Sequence, residues 1–163
     1  MADPVFEAAG EIFDGAVAGL RQAIEGAPAD TLNARPAGDE TNTIAVLATH
    51  AMHSTRSWFA VATGAPLPSR DRPSEFRVTA SGPEELLGFV DAMRQDCRAL
   101  LAPEAPFEPG ASRVTHRPGS VGDPDRVTAA WALLHALEHL QEHVGHAQLT
   151  RQVLDSRPDT LSG

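Results

Sequence analysis

The chain has 163 residues, 42% of them hydrophobic, and a formal charge of −9 at neutral pH; a single core is expected at this size, so residues 1–163 are read as one domain. The acidic balance and scattered arginines exclude a nucleic-acid binder, which needs a basic stripe to follow phosphates. No run of about eighteen apolar residues and no basic segment leading into an apolar stretch occur, so neither a membrane span nor a secretory signal is expected, and the location expected is cytoplasmic.

The first stretch, PVFEAAGEIFDGAVAGLRQAIEG, repeats Phe6, Ile12, Val17, Leu20 and Ile24 near helical spacing and predicts a helix over 3–25, stopped by Gly26. A loop rich in Pro, Ala and Asp follows. The segment TNTIAVLATHAMHSTRSWFAVATG predicts a second helix, capped by Thr41 or Asn42 and ended by Gly64 and Pro66, with Ile44, Leu47, Ala48, Ala51 and Phe59 on its apolar face. APLPSRDRPSEFRVTA is dense in proline and charge and reads as a loop long enough to line a site.

A third helix is expected in SGPEELLGFVDAMRQDCRALLAP, with Ser81 and Glu84 as a capping box and Leu86, Val90, Met93, Cys97 and Leu100 as the core stripe. The one cysteine, Cys97, lies in that stripe and reads as a small buried hydrophobe; having no second thiol to pair with, it agrees with a reducing compartment. After a second irregular stretch, Asp123 and Pro124 form a good cap and first residue for a last helix running to about Asp155. Four amphipathic helices with no convincing strand predict an all-α four-helix bundle, an architecture that builds metal sites from side chains on facing helices.

The run HALEHLQEHVGH places His135, His139, His143 and His146 on the last helix. At 100° per residue they fall within about 80° of one another, on one face, and imidazoles four apart can converge on one ion. A third ligand must come from another helix, where His50 and His53 are the candidates. Random placement of seven histidines gives about 0.3 such i, i+4 pairs, so two overlapping pairs favour a metal site over a merely solvated face. His116 reads as a solvated loop residue, Trp58 and Trp131 as packing anchors, and Gly145 as either a close-approach point or a tolerated glycine. Arg70, Arg72 and Arg77 could bind an anion but read more simply as surface charges.

Two runs together resemble a known family. RPAGDETNTIAVLATHAMHSTRSWF, with His50 eight residues before Trp58, resembles the second-helix signature of the DinB/YfiT-like superfamily. EHLQEHVGHAQLTRQVL is similar to its last-helix signature, an H-x-x-x-H followed by a glycine and a polar residue, here Gly145 and Gln148. The resemblance covers nearly the whole chain. It implies an up-down-down-up bundle holding one divalent metal, zinc or nickel, through His50, His139 and His143. His53, His135 and His146 are additions to the pattern; a His135/His139 pair would move the site by one turn, but Gly145 and Gln148 set the register at His139 and His143.

Three neutral imidazoles leave a coordination position open, as in catalytic rather than structural zinc sites. Relatives of this kind include mycothiol-dependent maleylpyruvate isomerase and bacillithiol transferases, which couple a small thiol to an electrophile. The chain contains no lysine, only arginine, as expected of a GC-rich genome; mycothiol belongs to GC-rich actinobacteria. The resemblance therefore implies a thiol S-transferase or isomerase with mycothiol as co-substrate, acting on a small molecule, and a homodimer. The alternatives are a metal-dependent hydrolase with Glu138 or Glu142 as general base, and a bundle that binds a metal or small molecule without chemistry.

Overall fold

The computed structural model describes residues 3–102, 107–115 and 126–157. Four long helices dominate: α1 (Pro4–Ile24), α3 (Ile44–Thr63), α5 (Pro83–Leu100) and α6 (Ala129–Asp155). Between them lie two short helices, α2 (Ala29–Asn33) and α4 (Arg72–Glu75), and two short strands, β1 (Ser112–Val114) and β2 (Arg126–Thr128).

Side-chain pairs between helices give the direction of each. Asp14 of α1 meets Arg94 of α5, and Arg21 meets Asp91, so these helices run antiparallel. Gln148 of α6 donates to the Gly19 carbonyl and Arg151 to that of Ala23, so α6 runs parallel to α1. His50 of α3 faces His143, and Trp58 faces Trp131, which makes α3 antiparallel to α6. His53 and Arg56 of α3 meet Phe89 and Asp96 of α5 in the same order, so those two are parallel. The bundle is thus up-down-down-up, as expected, with the α3–α6 seam its most extensive interface.

Most of the predicted core is buried: Phe6, Val17, Leu20 and Ile24 on α1, and Leu86, Val90, Met93 and Cys97 on α5. Phe13 and Phe59 meet edge to face at 5.5 Å in its middle. Two stripe positions differ. Ile12 is 49% exposed, because it falls one residue off the inward face that Phe13 occupies, and Leu100 is only half-buried while Leu101 is buried. α3 is buried on nearly every side, as a helix flanked by α5 and α6 must be.

Several local expectations are corrected. α3 is capped by Thr43, whose hydroxyl accepts from the Val46 amide at 3.1 Å, not by Thr41 or Asn42. Ser81 bonds Glu85 rather than Glu84, because Gly82 is the residue flanking α5 and the carboxylate one position later reaches back. Strands were not expected, yet β1 and β2 pair antiparallel, with Arg113 opposite Val127. The cap at Asp123 and Pro124, like His116, lies outside the described residues. α6 begins instead at Ala129, with the Thr128 hydroxyl accepting from the Trp131 amide, once β2 has ended. Gly64 ends α3 as expected, in the left-handed region at φ 76°.

Candidate metal centre

α3 and α6 meet along a seam whose middle carries histidines in place of apolar side chains. Being antiparallel, they set His50 opposite the turn of α6 between His139 and His143. Each of these three residues offers a nitrogen, and the three nitrogens all lie within 4.8 Å of one another. The Nε2 atoms of His139 and His143 are 3.2 Å apart. Two nitrogens bound to one ion at about 2.0 to 2.1 Å lie about 2.8 to 3.4 Å from each other between right-angle and tetrahedral geometry, so this pair has a spacing that ligation allows.

The electrostatics favour ligation. Burial, reinforced by the electrostatic influence of His143, His50, His135 and Arg70, lowers the His139 imidazole to about 3. His143 falls to about 4, again chiefly from burial. Both are therefore neutral at pH 7, the form that carries a free lone pair. Their Nδ1 atoms are buried without a hydrogen-bond partner. An unpaired buried polar atom carries a desolvation cost, so this donor set is not arranged for the stability of the bundle alone.

His50 is held differently. Its Nδ1 lies 2.8 Å from Oε2 of Glu75, a carboxylate that is 2% exposed. Arg70 closes on the same carboxylate, with Nε at 2.6 Å from Oε1 and Nη2 at 2.8 Å from Oε2. Burial by itself would raise the Glu75 carboxyl, but hydrogen bonds from Arg70 and His50 and their charges hold it down to about 2. An ionised carboxylate only accepts, and at 2.8 Å it is a closer partner of Nδ1 than the Arg70 Nη2 at 3.3 Å, so this bond assigns the proton to Nδ1 and leaves the Nε2 lone pair of His50 available. The Phe76 ring packs at 4.8 Å from His50 and carries the Arg72 guanidinium on its own face.

The remaining candidates take other places. His53 packs on Phe89 and its pKa is lowered, chiefly by burial. His135 stacks on Trp131 at 4.6 Å and lies edge-on to Trp58, so the two tryptophans pack with a histidine as well as with each other. His146 is exposed, with its ring 5.9 Å from that of His143. None of these three joins the cluster of His50, His139 and His143. Glu138 is exposed and bonds His135, while Glu142 is exposed. Gly145 is exposed with open space around it, so it permits no close approach and is simply tolerated. Arg72 and Arg77 are exposed as expected, whereas Arg70 is part of the buried clamp.

Glu75 and its role escape sequence reasoning. It sits in a loop with no periodicity, and an acidic residue there reads as solvated; the one usable signal is Asp71 followed by Arg72 and Pro73, a cap and first turn for a short helix. A groove of about 400 Å³ is lined by apolar Pro36, Leu47, Leu149 and Val153 and by polar residues including Glu40 and Thr150; it reaches His146, while His50, His139 and His143 do not line it. No helix among the described residues is long and apolar enough to cross a membrane.

Among curated proteins none matches the chain. Among solved structures it is similar to a conserved protein from Enterococcus faecalis, with a TM-score of 0.71 and 16% identity, covering 96% of this chain and 99% of that one. At that identity the likeness speaks for the fold alone. Residues 12–147 match the DinB superfamily. That stretch takes in most of α1, the whole of α3 and α5, and all three clustered histidines, and by it the chain belongs to the DinB superfamily.

Proposed function

We propose that His50, His139 and His143 bind one divalent metal ion, zinc or nickel, and that the protein is a metal-dependent thiol S-transferase or isomerase using a small thiol of the mycothiol type. The observation that carries the metal reading is the 3.2 Å approach of the His139 and His143 Nε2 atoms, with His50 facing them. Held by three neutral imidazoles, such an ion has an open position and lowers the pKa of a thiol or water that occupies it.

The chain's own residues supply the rest. Burial keeps His139 and His143 unprotonated, Glu75 holds the tautomer of His50, and the groove reaching His146 is a place for the apolar body of a small electrophile. The hydrolase alternative finds no support from Glu138, which is exposed and turned to His135. A purely binding bundle would close the fourth position with His53 or His146, and neither lies in the cluster.

Metal content measured by mass spectrometry on untagged protein tests this. About one equivalent is expected in the wild type, lost in His50→Ala, His139→Ala and His143→Ala and kept in His135→Ala. No bound metal after reloading with zinc or nickel sinks the centre. Metal-loaded protein should then couple mycothiol to monochlorobimane, and turnover no higher than in His143→Ala removes the transferase reading. The same reading takes residues 1–163 as one cytoplasmic domain that forms a homodimer, with Trp131 and Leu134 exposed on α6 as apolar surface for a second copy. A monomer in analytical ultracentrifugation would exclude the dimer.

A further inference from the structure

We infer that Glu75 is the positioning residue of the metal centre, and that through it the loop between α3 and α5 controls metal affinity. This rests on the three-histidine reading. The carboxylate, at 2.8 Å, is the nearest group that ties one of the three histidines to another segment of the chain; Arg70 Nη2 lies 3.3 Å from the same nitrogen, and the Nδ1 atoms of His139 and His143 have no partner.

Three features make the contact a built one. First, Glu75 is buried and both of its oxygens are engaged, Oε1 by Arg70 and Oε2 by Arg70 and His50, so it cannot turn away without stranding a guanidinium. Second, α4 grips His50 twice, with the Glu75 carboxylate at the ring edge and Phe76 against its face, which fixes both rotation and tilt. Third, the loop is itself anchored. Asp71 caps α4, and at its far end Asn33 of α2 bonds both the amide and the carbonyl of Ala80, at 2.9 and 2.8 Å.

The physical consequence is a choice of tautomer. An imidazole that must present Nε2 to a cation has to carry its proton on Nδ1, and an acceptor-only partner at Nδ1 enforces that form. Glutamine at position 75 keeps the size but can turn its NH2 toward Nδ1, which favours the wrong tautomer. Arg70 neutralises the carboxylate and orients it, and its Nη2 also lies 3.3 Å from Nδ1 of His50, so Glu75 and not Arg70 is the residue to vary.

A double-mutant cycle read by nickel binding tests the inference, with calorimetric titration of Ni(II) into wild type, Glu75→Gln, His50→Ala and the double variant. Expected is a loss of about 10- to 100-fold in affinity for Glu75→Gln, with little further loss when His50 is already alanine, where the i, i+4 pair keeps a residual nickel affinity that titration reads but that is too weak to survive purification. Equal loss in both backgrounds would make Glu75 a general support of the fold and overturn the inference, as would unchanged affinity in Glu75→Gln. If circular dichroism shows Glu75→Gln unfolded, Glu75→Asp, which keeps the charge but draws the carboxylate back from the ring, takes its place in the same cycle, with about a 3- to 10-fold loss expected only where His50 is present. Absence of both nickel and zinc binding by the wild type itself would overturn the metal reading, and this inference with it, and the wild-type titrations with the two ions distinguish that case.

Discussion

His139 and His143 are neutral at pH 7 because charging them inside the seam costs more than charging them in water. Their folded values, about 3 and about 4, lie below the ordinary 6.5. Between those limits the unfolded chain binds more protons than the folded one, so stability of the metal-free protein falls as pH drops from 6.5 toward 4. Glu75, held at about 2 against 4.5, adds its own loss only below pH 4.5. Melting curves between pH 6.5 and 4.5 therefore report chiefly on the histidines: the midpoint should decline with acid in the wild type and less steeply in a His139→Gln, His143→Gln variant, where the lowered His53 remains. A decline of equal slope in that variant would place the titrating groups elsewhere. At Cys97, burial pushes the thiol up to about 12. Native protein at pH 8 should resist alkylation and react fully only in denaturant, since the thiolate is the nucleophile; rapid labelling of the native form would contradict the burial.

At the scale of the element, α6 does two jobs with one face. Ala132, Ala136, Leu140, Val144 and Ala147 pack into the core while His139 and His143, beside them, build the cluster. Gly145 lies on the outer side with nothing near the place a Cβ would take. Gly145→Ala should stabilise the protein by about 0.5 to 1 kcal/mol in urea titration without changing metal content, by helix propensity alone. Gly64 is the opposite case. It closes α3 at φ 76°, and a Cβ there would meet the Arg113 guanidinium at 3.2 Å. Gly64→Ala should cost about 1 kcal/mol or more; an unchanged urea midpoint would mean the α3 end relaxes at no cost.

For the whole molecule, the two histidines of α6 and the one of α3 join helices separated by the whole α4–α5 stretch, so an ion there clamps the α3–α6 seam. Whatever binds only the folded state stabilises it, by about 2.7 kcal/mol at one hundred times Kd, which for a chain this long is about 5 to 10 °C in Tm. Zinc or nickel should raise Tm by that amount in the wild type and leave His50→Ala almost unmoved. The amino-acid sequence by itself determined what depends on near neighbours: four long helices from their apolar spacing, the stops at Gly26 and Gly64, the core stripe of α5, and the convergence of His139 and His143, since residues four apart share a helix face wherever the helix lies. Only the tertiary structure decided what depends on distant ones. Spacing alone leaves His50 and His53 open and the family resemblance names His50; it is His50 that faces α6 because packing of the α3–α6 seam sets the rotation of α3. Glu75 is buried because Arg70 and His50 compensate its charge, and β2 takes the residues just before α6 because β1 offers its backbone a partner. Periodicity records which way a side chain faces within its own element; pairing between elements is settled by packing and charge compensation, which no local pattern carries.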